Sequence, residues 1–127
     1  MIMDLWQYRA SVERVVDGDT LDLVIDLGFG VILTGDEARV RLLDVDTAEI
    51  FGSARDSEEY ATGQRQKRFV EEWVAQAGPE EWPVLIETRK DDERGKYGRW
   101  LAVVERRNDG AVLNDDLGRE FGETIHA

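Results

Sequence analysis

Along residues 20–27 the chain alternates. Leu21, Leu23, Ile25 and Leu27 are apolar, with Asp22, Val24 and Asp26 between them. A repeat of two sends successive side chains to opposite faces, so this stretch predicts a strand. Upstream, the valine-rich Tyr8–Val16 stops at Asp17-Gly18, a pair that favours turns, and predicts a first strand. Downstream, GFGVILTGDE reads as a long hairpin connection punctuated by glycines, with a short strand over Val31–Leu33. Glu37–Val45 predicts the third strand, but it alternates imperfectly. Val40 and Leu42 share one face with Asp44, whereas Arg41 shares the other with Leu43 and Val45. A strand apolar on both faces suits a small barrel with something packed against its outside.

The period then changes. Asp56-Ser57-Glu58-Glu59 looks like a helix start with an acidic first turn. Phe69, Val70, Trp73, Val74 and Ala77 follow at helical spacing, and Gly78-Pro79 ends the run. Gly63 weakens the first turns of that helix. VLIET (84–88) and WLAVVE (100–105) predict two more strands, joined by the polar RKDDERGKYGR. Asn108-Asp109-Gly110 is another turn, and Val112, Leu113, Leu117 and Phe121 give VLNDDLGREF the period of a short final helix. Strand–strand–strand–helix–strand–strand–helix is an α+β order. It fits a five-stranded OB-fold β-barrel capped by a helix after strand 3, with a short C-terminal helix. At 127 residues the chain is long enough to bury a core as a single domain over 1–127.

Composition narrows the classes. Hydrophobic residues at 42% and charged residues at 35% exclude a disordered or membrane-spanning chain. No segment has the length of a transmembrane helix, so no membrane partner is expected. The start MIMDLWQYRASVERV has no basic segment followed by an apolar run, so no signal peptide is read and a cytoplasmic location is expected. Zero cysteines exclude disulfides and thiolate metal sites. Sixteen Lys plus Arg against twenty-eight Asp plus Glu leave a net charge of −12. That argues against tight nonspecific binding of DNA through its phosphates. It leaves a metal binder, a binder of basic partners, or an enzyme whose positive charge is confined to one cleft.

Three short motifs carry chemistry. VVDGDT (15–20) reads as a tight turn on backbone grounds alone, and equally as a hard-cation site with two carboxylates flanking a glycine. It is no EF-hand: that loop's fifth and sixth positions would be Leu21 and Asp22. Further ligands must come from elsewhere, and VRLLDVDTAE (40–49) can supply them through Asp46, Thr47 and Glu49. Polar strand ends are ordinary, but Arg41 on a partly apolar face needs an anion nearby, a carboxylate or a phosphate. GKYGR (95–99) is by itself a flexible basic turn. Its glycines let backbone approach a ligand, with Lys96, Tyr97 and Arg99 delivering charge and a ring.

DGDT, then RLLxVDTxE, then KYGR, in this order on this run of strands, resembles the staphylococcal nuclease family of thermonucleases, from about Val15 to about Glu120. The resemblance implies an OB-fold barrel carrying a calcium-dependent phosphodiesterase that cleaves DNA and RNA with little sequence preference, leaving 3′ phosphates. It implies Asp19 and Asp46 as metal carboxylates, with the Thr47 carbonyl as a further Ca²⁺ ligand. Glu49 corresponds to the general base, Arg41 and Arg99 to the phosphate-binding arginines, and Lys96 and Tyr97 to substrate contacts. A monomer is expected.

The chain departs from that family in three places. Ala48 stands where proline is usual between the threonine and the glutamate, so the loop carrying Glu49 is expected to be less rigid. The connection between the second and third strands is longer, and the aromatic residues that stack on a base after the last helix have no counterpart in GETIHA. The lone His126 is read as a surface residue near the end. Two rivals accompany the enzyme reading: a non-catalytic OB-fold module that binds nucleic acid or protein, and an acidic decoy that blocks a basic protein. The first predicts decay of Glu49, Arg41 or Arg99, and all three are present. The second has no need of DGDT and VDTAE.

Overall fold

The structure is a computed structural model that describes residues 6–45, 58–90 and 100–122. Its elements are strands β1 (Gln7–Asp17), β2 (Thr20–Asp26) and β3 (Ile32–Leu33), a 3-10 turn at Gly35–Ala38, and β4 (Arg39–Leu42). Helix α1 (Glu58–Ala75), strands β5 (Val84–Lys90) and β6 (Trp100–Arg106), and helix α2 (Leu113–Phe121) complete them. β1 pairs with β2, β2 with β4, β4 with β6, β6 with β5, and β5 again with β1. Five strands therefore close a barrel, and the two-residue β3 lies beside the far end of β2. Every pairing in the ring is antiparallel except β4–β6, which is parallel. The expected α+β, OB-like barrel is the one observed, with a helix after the third barrel strand and a short C-terminal helix.

Closure needs β1 to bend. Its register against β2 shifts between Val12 and Arg14, and again between Val15 and Asp17. Each inserted residue turns the strand, so its first half reaches β5 while its second half stays on β2. Alternate side chains fill the interior: Leu21, Leu23 and Ile25 from β2, Val40 and Leu42 from β4, Val84 and Ile86 from β5, Ala102 and Val104 from β6. Val70 and Trp73 of α1, with Leu113 and Leu117 of α2, complete the same core.

The helices are fixed by polar as well as apolar contacts. Phe69 meets Phe121 edge to face at 5.7 Å, and the Trp73 indole N–H donates to Asp116 at 2.9 Å. The buried Arg106 guanidinium lies 4.6 Å from the Trp73 ring centre. It donates to the Trp73 carbonyl at 2.9 Å and makes a two-pronged pair with Asp109 at 3.0 and 2.7 Å. All three guanidinium nitrogens of this arginine thereby donate to an oxygen, which is how a buried charge is tolerated. Among the described residues no helix is long and apolar enough to cross a membrane.

Two expectations are corrected in detail. The third long strand spans only Arg39–Leu42, because Gly35–Ala38 coils into a 3-10 turn and Asp44 takes a left-handed backbone with φ 60°. That reversal breaks the alternation: Val45 swings into the core and Asp44 faces solvent, the opposite of their expected sides. The glycine-punctuated connection after β2 is the expected hairpin, with its strand shortened to Ile32–Leu33. Gly28, Phe29 and Gly30 are all left-handed there, and Phe29 is fully exposed at the tip.

Candidate functional site

The DGDT segment is the turn that joins β1 to β2, with Asp17 opposite Thr20 in register. Asp17 accepts the Asp19 N–H at 3.0 Å, closing the turn through a side chain. Thr20 donates its hydroxyl to Asp19 Oδ1 at 2.9 Å. The Asp19 carbonyl accepts the Leu42 N–H at 2.8 Å, which ties the turn directly to β4. Asp19 is only 7% exposed, an unusual depth for a carboxylate in a turn.

Arg41 stands opposite Thr20 on the outer face of the barrel. Its Nε lies 3.7 Å from Asp19 Oδ2, so among the described residues the Asp19 carboxylate is an anion of the kind the sequence required beside Arg41. Arg41 shares its face with Thr20 and Leu101 rather than with Val45, which has turned inward. Of the eight residues singled out from the sequence, the structure thus brings Asp19 and Arg41 together. Asp46, Thr47 and Glu49, and likewise Lys96, Tyr97 and Arg99, lie outside the described residues. The strand that precedes the first of these motifs and the strand that follows the second, β4 and β6, are neighbours: Leu42 is opposite Ala102, and Val40 opposite Trp100.

Electrostatics single out Asp17, the first of the two carboxylates that flank Gly18. Burial, reinforced by the hydrogen bond and negative charge of Asp19, pushes the Asp17 carboxyl from its ordinary 3.8 up to about 7. Asp19 is held close enough to Asp17 to oppose its ionisation, and the two carboxylates present hard oxygen donors side by side. That is the donor set a hard divalent cation prefers, because the cation relieves the crowding it finds. The signal was present in DGDT as its first acid, but depth of burial is what distinguishes it. Among the described residues alone, no group of three acidic or histidine side chains forms a complete cage.

Asn114 was legible only as part of a helix. Its amide donates to the Leu43 carbonyl at 3.0 Å and the Ala102 carbonyl at 3.1 Å, and its Oδ1 accepts the Val104 N–H at 3.1 Å. One side chain on α2 therefore pins the end of β4, from which the chain continues to Asp46, against β6. Nearby, Arg39 grips Asp22 with two hydrogen bonds of 2.7 and 3.1 Å. Those bonds, with Arg14 adding its charge, hold the Asp22 carboxyl below the usual carboxylate range. A comparison with models of known families finds no match for this chain, and a search of curated proteins finds no relative.

Proposed function

We propose that the chain is a calcium-dependent nuclease that hydrolyses phosphodiester bonds of DNA or RNA with little sequence preference and leaves 3′ phosphates. The observation that carries this reading is the meeting of Asp19 and Arg41 at 3.7 Å on the outer face of an OB-like barrel. Resemblance in the sequence assigns those two residues to one phosphate site, although they are separated by a hairpin. The crowded Asp17 and Asp19 carboxylates support a hard-cation site at that turn.

Asp19 and Asp46, with the Thr47 carbonyl, are the residues that would hold Ca²⁺. Bound there, calcium supplies Lewis-acid polarisation of a nonbridging phosphate oxygen. Two carboxylates and one carbonyl fall short of the six to eight oxygens calcium prefers, so these residues would hold it only weakly without nucleic acid. Glu49 takes a proton from the attacking water or orients it, a role worth roughly 10²–10⁴ in rate. Arg41 and Arg99 hold the equatorial oxygens as charge builds, each able to offer two parallel N–H donors. Arg41 meets Asp19 in an ion pair at 3.7 Å, longer than a charge-assisted hydrogen bond. Lys96 and Tyr97 contact the phosphate and the nucleotide.

The test is release of acid-soluble nucleotides from single- and double-stranded substrates, with Ca²⁺ or with EGTA. Wild type should act only with calcium, and Glu49→Gln should fold normally and lose at least a hundredfold in turnover. Activity in EGTA, or an unimpaired Glu49→Gln variant, would remove the mechanism. Calcium-independent binding without hydrolysis would leave an OB-type binding module in its place.

A further inference from the structure

The barrel register sets a second arginine in line with Arg41. Leu101 of β6 is opposite Arg41 on one side and opposite Arg89 of β5 on the other. Cross-strand partners point to the same face, and the face is the outer one. Val40 and Leu42 flank Arg41 and are buried, and Ala102, next to Leu101, is buried too. Thr20, Arg41, Leu101 and Arg89 therefore form one row across four adjacent strands. With neighbouring strands spaced about 4.8 Å apart, the two arginines start about 10 Å from each other. The row begins at the turn that carries Asp19.

Arg89 is built for recruitment rather than for support. Its side chain is 64% exposed, and its ion-pair partner is Glu87 at 3.4 Å, itself held by Gln7 across the β1–β5 pairing at 3.3 Å. An exposed pair of that length adds little stability, so exchanging the carboxylate for a phosphate costs little. Glu87 lies two residues back along the same strand, while the half-buried Leu101 offers an apolar step between the two guanidiniums. In a chain of net charge −12, two arginines aligned across one face describe a track for a polyanion rather than a general basic surface.

We propose that Arg89 binds a second phosphate of the strand whose scissile phosphate sits at Arg41, so that the substrate is a polynucleotide laid across β4, β6 and β5. This rests on the nuclease reading in placing a phosphate at Arg41, and it adds the direction of the strand and a preference for substrates longer than a dinucleotide.

The experiment measures binding of a fluorescein-labelled oligothymidylate of about ten nucleotides to the full chain in Ca²⁺, in the Glu49→Gln background, over a range of salt. Arg89→Ala should weaken binding at low salt roughly 3–10-fold and make the slope of log affinity against log salt shallower by about 0.7, the loss of one phosphate contact on a single strand. Arg89→Lys should keep the slope. Arg107→Ala removes the same charge just beyond the far end of β6 and should leave the slope unchanged. With an intact Glu49, the Arg89→Ala loss should appear as a higher KM on the decamer and be absent on a thymidylyl dinucleotide. Equal slopes for wild type and Arg89→Ala, equal losses from Arg107→Ala, or no binding of the oligonucleotide by wild type would each overturn the proposal. A slope that depends on Arg89 in a protein that hydrolyses nothing would uphold the track and reject the nuclease.

Discussion

Asp17 and Asp19 sit one residue apart in a turn whose backbone they themselves close, and the cost of that arrangement is electrostatic. Asp17 titrates near 7 when folded against 3.8 ordinarily, so between those values the native state holds a proton that the unfolded chain releases. The stabilising contribution of this group is therefore complete below about pH 4 and is lost as the pH rises through 7. Asp17→Asn keeps an oxygen for the Asp19 N–H and removes the charge. It should raise stability at pH 8 by an amount on the order of 2 kcal/mol, read as a higher Tm, and should match wild type near pH 4. Thermal melts across that range check it; an equal gain at both pH values would mean that charge is not the cause. The same substitution should weaken calcium binding if Asp17 adds to the field that attracts the cation.

Two elements depend on one amide. Asn114 on α2 holds the Leu43 and Ala102 carbonyls and the Val104 N–H, so it joins the end of β4 to β6 where their backbone pairing runs out. Asn114→Ala removes the partner of the buried Val104 N–H and one donor from each of the Leu43 and Ala102 carbonyls, although Ala102 still accepts the Leu43 N–H, and should cost about 2–3 kcal/mol in stability. Because the chain runs from Val45 straight into Asp46, calcium-dependent turnover should fall by more than the loss of folded protein explains. Chemical denaturation and single-turnover rates on the same sample separate the two effects. An Asn114→Ala protein with wild-type turnover per folded molecule would confine this residue to a structural role. A helix periodicity shows Leu113 and Leu117 facing inward, but nothing local announces that Asn114 will meet a strand turn 71 residues away.

For the molecule as a whole the net charge of −12 opposes its own substrate at long range. Charges are screened over about 8 Å at physiological salt, whereas a phosphate against Arg41 or Arg89 is much closer than that. Added salt therefore weakens the general repulsion as well as the local attraction. Activity on long DNA should tolerate moderate salt, or rise slightly before it falls, in contrast to the steep monotonic loss of a basic nucleic-acid binder. Initial rates from low to moderate salt, at fixed free Ca²⁺, decide this; a steep fall from the lowest salt onward would mean that the acids do not reach the site.

The sequence by itself determined the elements and much of the inventory. Alternation at 21–27, 84–88 and 100–105 marked strands, helical spacing at 69–77 and 112–121 marked helices, and Asp17-Gly18 marked the first turn, since these patterns follow from local backbone geometry. It also showed that Arg41 required an anion. Only the tertiary structure brought Asp19 to it, because Asp19 reaches Arg41 through strand pairing and not through chain proximity. The parallel β4–β6 contact, the inward turn of Val45, the reach of Asn114 and the alignment of Arg41 with Arg89 arose in the same way. Each depends on partners dozens of residues apart, whose meeting is set by closing the barrel around a shared core, and no window along the chain contains both members of such a pair.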